Sequence, residues 1–182
     1  TGISRCHLDL SELVISPYAS GLACLVEDEM NLGATVIDMG GGMTTIAIFH
    51  DGSAVFTDAI PVGGGNVTND IARGLSTSLA NAERLKTLHG NVLLSTNDER
   101  DIINAPQIGD DMDSHASNVP KSLLVGIIAP RIEEILELVR ARITASGFEK
   151  TVGRRVVLTG GASQLPGMRE LATQILDKQI RL

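Results

Sequence analysis

Aromatic side chains are nearly absent: three Phe, one Tyr and no Trp in 182 residues, or 2% of the chain. A core must therefore be built mainly from Leu, Ile, Val, Ala and Met. The hydrophobic share of 43% fits a folded protein rather than a disordered one. Cysteine is limited to Cys6 and Cys24, with no Cys-x-x-Cys spacing. That argues against a disulfide framework and for two reduced thiols in a cytosolic protein. No apolar run reaches the roughly 20 residues of a membrane span, and no basic segment followed by an apolar signal stretch is visible. Basic charge is in deficit, 15 Lys and Arg against 22 Asp and Glu, for a net charge of -7. This favours solubility and speaks against nonspecific binding to nucleic acid or anionic membrane. It leaves room for an anionic ligand, because backbone amides bind phosphate even in an acidic protein. His7, His50, His89 and His115 are scattered and form no metal set. No short repeat is present. The length suits one substantial core or two small subdomains, and the opening Thr1 within ordinary folded sequence is what a fragment or processed chain would show.

Glycine, by contrast, is abundant at 19 residues, and it punctuates the chain. Residues 6–15 alternate loosely and read as a strand, followed by a short helix over 19–29. Apolar strands are expected over 35–39, 44–50 and 54–60, broken by Gly40-Gly41-Gly42 and by the hairpin pair Asp51-Gly52. A helix is expected from Asn66, with Val67, Ile71 and Leu75 on one face, and another over 79–88 with Leu79, Ala82, Leu85 and Leu88 on one stripe. Residues 91–118 are polar, with one short strand over 101–105 and a mobile loop expected around 109–119. A long helix should run over 122–145, kinked or restarted at Pro130. The strand 156–159, the Gly160-Gly161 turn and a helix over 168–179 complete the chain. This order argues for α/β architecture with helices on a mixed sheet.

Four segments carry chemistry. In Asp38-Met39-Gly40-Gly41-Gly42-Met43-Thr44-Thr45 a strand ends in a turn without side chains. It fits either an Asx-closed hairpin or a phosphate cradle, with Thr44 or Thr45 adding a hydroxyl and Asp38 facing hydrated Mg²⁺. It is not a dinucleotide fingerprint, since a strand follows the glycines, nor a P-loop, since no Gly-Lys-Ser/Thr follows. Gly63-Gly64-Gly65 opens a helix whose first turns hold Thr68 and Asp70, fit to position a water or cation or simply to cap the helix. Glu83 and Lys86 lie three apart on one helix side, where they form an ion pair or hold a ribose and a purine edge. Val157-Leu158-Thr159-Gly160-Gly161-Ala162-Ser163 ends a strand at the place where open α/β sheets bind ligands, or is a tight connection.

In this order and spacing the segments resemble the actin/Hsp70 superfamily of ATPases, and more closely its FtsA family of bacterial cell-division proteins. The resemblance covers essentially the whole chain. It implies an actin-like (ribonuclease H-like) ATPase subdomain with a smaller inserted α/β subdomain. The core would take in residues 1–92 and 148–182, and the insert 93–147 with its long helix. Asp38 would approach Mg²⁺. Gly40, Gly41, Gly42, Met43 and Thr44 would wrap the β- and γ-phosphates, and Glu83 and Lys86 would hold the adenosine. Gly160, Gly161, Ala162 and Ser163 would flank the α-phosphate and base. Thr68 and Asp70 would lie nearby.

The first phosphate hairpin of that superfamily is missing before residue 38, so the chain resembles a second lobe alone, with little or no ATP binding or ATPase activity by itself. For the complete protein the resemblance implies ATP and Mg²⁺ as ligands, self-association into filaments, and tethering of the tubulin-like FtsZ ring through its C-terminal tail. Arg131, Arg140 and Arg142 would be candidate contacts for that tail. Other division proteins would bind a missing part of the first lobe. The protein would lie at the cytoplasmic face of the inner membrane, attached through a further C-terminal helix. An Hsp70-like chaperone lobe and an actin-like scaffold of a pilus assembly complex share the architecture and remain alternatives.

Overall fold

A computed structural model describes residues 2–108, 117–148 and 153–182. Its centre is a five-stranded sheet in the order β3-β2-β1-β6-β7. Strands β1 (Ala34–Met39), β2 (Thr44–His50) and β3 (Ser53–Ile60) form the expected antiparallel meander. β6 (Arg155–Thr159) lies parallel to β1, and β7 (Gln179–Arg181) parallel to β6. β1 and β2 are buried along nearly their whole length, which is why they read as continuous apolar runs rather than alternating ones. The hairpin between β2 and β3 turns on Asp51 (φ 49°) and Gly52 (φ 72°), both left-handed as a two-residue type I′ connection requires. A second, two-stranded sheet pairs β4 (Ile102–Ala105) with β5 (Ser117–Pro120).

One face of the large sheet is covered by α2 (Ser16–Cys24) and α3 (Glu27–Leu32), over a cluster of Val36, Ala47, Phe49 and Val157. The other face carries the main core. There Ile37, Met39, Ile46 and Leu158 join residues of α4 (Gly64–Gly74), α5 (Leu79–His89), α6 (Lys121–Ala145) and α7 (Met168–Leu176). α6 contributes Leu124, Ile128, Ile132, Ile135, Leu136 and Val139, all fully buried, so the long helix shares one core with the sheet. α4 and α5 pack on each other and on α6, and the small sheet packs on α5 and α6.

Several local expectations are corrected. Residues 6–15 are not a strand: a single helical turn, α1 (Gly2–Arg5), is followed by extended, irregular chain with Leu8, Leu10 and Leu13 exposed. Alternation alone does not make a strand where no neighbouring strand supplies hydrogen bonds. The helix expected over 19–29 is two helices, α2 and α3, separated at Leu25 and Val26. α2 begins earlier because Pro17 is tolerated in a first helical turn. α4 starts at Gly64 rather than Asn66. On α5 only Ala82 and Leu85 are buried, and Leu79 and Leu88 are exposed. α6 runs unbroken through Pro130. Its interior proline costs about 3 kcal/mol, which the apolar face buried on either side offsets. α7 stops at Leu176, where Asp177 turns left-handed (φ 51°), and the residues beyond it join the sheet as β7. The loop expected around 109–119 lies outside the described residues over 109–116. Its last part is β5.

α2 approaches the sheet so closely that a Cβ on Gly21 would fall 2.1 Å from the buried ring of Phe49. Gly21→Ala gains at most about 1 kcal/mol of helix propensity and incurs an overpacking penalty of about 1–3 kcal/mol. A net loss of stability is therefore expected, read as a lower midpoint in urea unfolding. An unchanged or raised midpoint would contradict the close packing.

Candidate functional site

The parallel pairing of β1 with β6 sets Asp38 opposite Thr159. The turns that follow these two strands therefore leave the sheet at the same edge. Gly160 (φ 86°) sits against the first turn: a Cβ there would lie 2.5 Å from Asp38 Oδ1 and 2.6 Å from the Met39 carbonyl. The Asp38 turn is closed by the Gly40 amide donating to the Met43 carbonyl at 3.0 Å.

The second glycine run interlocks with the first. The Gly64 amide donates to the Gly40 carbonyl at 2.9 Å, and the Gly65 amide to the Gly41 carbonyl at 2.7 Å. A Cβ on Gly63 would fall 2.5 Å from the Gly40 carbonyl. Gly64 also faces the fourth segment, since a Cβ on it would lie 3.1 Å from Ala162 Cβ. The amides of Gly64 and Gly65 are thus engaged within the chain. Among the described residues no bond uses the amides of Gly41, Gly42 or Gly161. Free N–H groups are what an anion needs; of these three glycines, Gly41 and Gly161 line the cleft that α5 closes and Gly42 does not.

α5 closes the other side. Lys86 Nζ donates to Gly64 O (3.1 Å), Thr68 Oγ1 (2.8 Å) and Glu83 Oε2 (2.7 Å), and Thr68 Oγ1 also meets Glu83 Oε2 at 2.5 Å. Burial pushes the Glu83 carboxyl up, but the Lys86 bond, the Thr68 hydroxyl and the Lys86 charge outweigh it and hold the group below the ordinary glutamate range. Together these parts enclose an open cleft of about 300 Å³, lined among others by Gly40, Gly41, Glu83, Lys86, Gly161 and Ala162. That volume is at the lower end for small-ligand sites.

The remaining candidate residues lie elsewhere or are engaged. Asp38 is not among the residues that line the cleft, and its Oδ2 accepts from Ser20 Oγ at 2.7 Å. Thr44 is fully buried and donates its one hydroxyl proton to the Val62 carbonyl (2.9 Å). The Thr45 hydroxyl is buried and has no hydrogen-bond partner among the described residues. The Met43 side chain borders a separate groove with Ile15 and Thr45. Ser163 is buried and donates to the Gly160 carbonyl at 2.7 Å, which stabilises the turn. Thr68 joins the Glu83–Lys86 cluster, whereas Asp70 accepts from Arg131 Nε at 2.6 Å, tying α4 to α6. Arg131 is held further by Glu134, Arg140 pairs with Glu137 (2.5 Å), and Arg142 pairs with Asp58 (3.3 Å). Among the described residues no group of three or more His, Cys, Asp and Glu could hold a metal ion. Ser20, Thr87, Gln164 and Pro166, which support or line the cleft, carry no sequence signal, since nothing distinguishes them from ordinary helix and turn residues.

The family model for cell division protein FtsA matches residues 35–182. The cell division protein FtsA of Agrobacterium fabrum is 54% identical over 180 residues, taking in 99% of this chain and 41% of that protein. The FtsA of Neisseria meningitidis serogroup B is 39% identical over 98% of this chain and 43% of its own. The chain thus spans about two-fifths of the length of these relatives. Among solved structures, MreB5 of Spiroplasma citri bound to ADP superimposes with a TM-score of 0.79 at 18% identity, over 98% of this chain and 56% of that one. The PilM–PilN type IV pilus biogenesis complex gives 0.71 at 18%, over 98% and 44%. These last two likenesses are of fold, the mixed α/β fold of the actin-like ATPases.

The cluster on α5 gives a pH test. Because the folded Glu83 titrates below its ordinary range, its contribution to stability is present at neutral pH. It is lost as pH falls through the folded value. Lys86→Met removes the main lowering influence and should raise the Glu83 titration midpoint, followed by the carboxyl ¹³C shift. An unmoved midpoint would show that the pair does not form in solution.

Proposed function

Because this chain belongs to the FtsA family of cell division proteins, we propose that it is the nucleotide-binding second lobe of an actin-like division protein that binds ATP. The observation that carries this reading is the meeting of three glycine turns and the Glu83–Lys86 helix side at one cleft with free amides. A polyphosphate would accept hydrogen bonds from the Gly41, Gly42 and Gly161 amides, and the glycines let it approach the backbone. The nucleoside would lie toward α5. The fold neighbour MreB5 is bound to ADP in one solved structure and to AMPPNP in another, which supports a nucleotide in the corresponding place.

Asp38 suits magnesium as a partner through water. It is a single carboxylate whose Oδ2 accepts from Ser20, and Mg²⁺ keeps several of its own waters where few carboxylates are offered. Bound there, the ion would neutralise phosphate charge. ATP would act mainly as a ligand between two lobes, favouring a closed state by differential affinity. The core subdomain of this lobe is assigned residues 1–92 and 148–182, and the smaller inserted unit 93–147. α6 is the helix on which both rest.

The complete protein is proposed to polymerise and to tether the FtsZ ring at the cytoplasmic face of the inner membrane, with other division proteins bound through the first lobe. Among the described residues no helix is long and apolar enough to cross a membrane, so attachment would rest on a further segment. For the FtsZ tail, Arg140 is the best-exposed of the three candidate arginines, at 55%, and among the described residues an i,i+3 pair with Glu137 alone competes for it. Such exposed pairs contribute little, so an acidic peptide displaces Glu137 at small cost. Arg131 is committed to Asp70. The pilus-scaffold and Hsp70-like readings carry less weight, because the pilus likeness is one of fold at 18% identity while the FtsA relatives reach 54%.

Isothermal titration with Mg-ATP tests the main claim. The complete protein should bind, and this chain alone should bind far more weakly, since half of the clamp is missing. Micromolar affinity for the isolated chain would overturn the shared-clamp reading. No affinity for the complete protein would overturn the ATP reading. For the tail, Arg140→Glu should weaken binding of the FtsZ C-terminal peptide in fluorescence anisotropy, and unchanged affinity would remove Arg140 from that site.

A further inference from the structure

α5 has a second working side. Glu83 and Lys86 line the cleft, whereas Arg84 and Leu88, one turn apart, line a separate cavity of about 270 Å³ with Asn104 and Pro106. A larger hollow of about 520 Å³ shares Leu88 and His89 with that cavity and extends to Arg100, Ile102 and Lys121. The two form one groove between α5 and β4, joined at Leu88 and His89. On β4, Ile102 and Asn104 are exposed while Ile103 and Ala105 are buried, so alternate residues of the strand stand outward.

The groove is a positive island in a chain of net charge -7. Arg84, His89 and Arg100 are exposed, and among the described residues none of their side chains has a hydrogen bond or an ion pair. Lys121 is taken by Asp98 at 3.1 Å. Asp101 is the one carboxylate among the residues that line either hollow. Two large apolar side chains stand beside the cations, Leu88 at 61% exposed and Ile102 at 58%. A small inorganic anion would meet one cation and leave both of these in water. A flat lipid surface does not enter a concave groove. A peptide with acidic and aliphatic side chains satisfies both features, because a guanidinium fork matches a carboxylate and the aliphatic groups cover Leu88 and Ile102.

We infer that the groove between α5 and β4 docks a segment of a partner protein in which acidic and aliphatic side chains lie side by side. Arg84 and Arg100 take its carboxylates, and Leu88 and Ile102 take its aliphatic groups. The surface is separate from the one considered for the FtsZ tail. Arg140 lies 19 residues beyond Lys121 on α6, roughly 28 Å at the helical rise, and it does not line the groove. The inference does not rest on the ATP reading, since neither Arg84 nor Arg100 lines the cleft.

The test uses the complete protein and three probes: a fluorescein-labelled peptide of alternating Glu and Leu, a matched peptide with Lys in place of Glu, and phosphatidylglycerol vesicles. In fluorescence anisotropy the Glu peptide should bind and the Lys peptide should not. Arg84→Glu and Arg100→Glu should each weaken the Glu peptide by about tenfold, the scale of one hydrogen bond between charged groups. Leu88→Ser should weaken it by about fivefold through lost apolar cover. Arg140→Glu should leave it within about twofold. A wild type that does not bind the Glu peptide, or that binds both peptides alike, overturns the inference. Unchanged affinity in Arg84→Glu or in Leu88→Ser overturns it too, as does a loss confined to Arg140→Glu, which would move the site to α6. Co-sedimentation with the vesicles that is lost in Arg84→Glu, without peptide binding, would replace the peptide with a membrane. If Arg84→Glu does not fold, Arg84→Gln supplies the same comparison.

Discussion

The site depends on backbones approaching one another without side chains between them. Gly63, Gly64 and Gly65 lie against the carbonyls of Gly40 and Gly41, and Gly160 lies against Asp38 and Met39. A Cβ at Gly63 or Gly160 would stand 2.5 Å from an oxygen, well inside contact distance. The two interlocking amide bonds, Gly64 to Gly40 and Gly65 to Gly41, turn two separate loops into one rigid piece. In the proposed reading, that rigidity would hold the Gly41 amide ready for an anion without a loop having to be ordered.

α4 links this piece to the rest of the lobe. Its N-terminus is the second glycine run, Val67 and Ile71 enter the core, and Thr68 engages α5. Asp70 and Gly74 turn toward α6: Asp70 takes the Arg131 guanidinium, and the missing side chain at Gly74 admits Ile127, whose Cδ1 would lie 2.7 Å from a Cβ there. One helix of eleven residues thus contacts the cleft, the ion-pair helix and the long helix. Two residues first considered for different roles, Asp70 for the nucleotide and Arg131 for a partner, are each other's partner.

A further lock holds the edge of the sheet. Glu29, only 6% exposed, accepts from Arg181 Nη2 at 2.7 Å and lies 3.5 Å from Arg155. Arg181 also donates to the Cys24 carbonyl at 2.8 Å. A buried carboxylate without such partners would be costly. Here it joins α2 and α3 to β7, and so fixes the last residues of the chain against the first helices.

Much of this was legible in the sequence. The meander β1–β2–β3 follows from three apolar runs and the Asp51-Gly52 pair, α6 from its 3.6-residue apolar period, and the turns from their glycines. These are torsional and periodic properties, set by neighbours a few residues apart. Tertiary structure alone decided the rest. Whether residues 6–15 form a strand depends on a neighbouring strand, and β7 exists only because β6 offers an edge. Which hydroxyls and amides are free is decided by partners far along the chain. Thr44 goes to Val62, Asp38 to Ser20 eighteen residues away, and Asp70 to Arg131 sixty-one residues away. A hydrogen-bonding group in a sequence shows only its capacity. Its partner, and hence whether it remains open to a ligand, is set by which surfaces the core brings together.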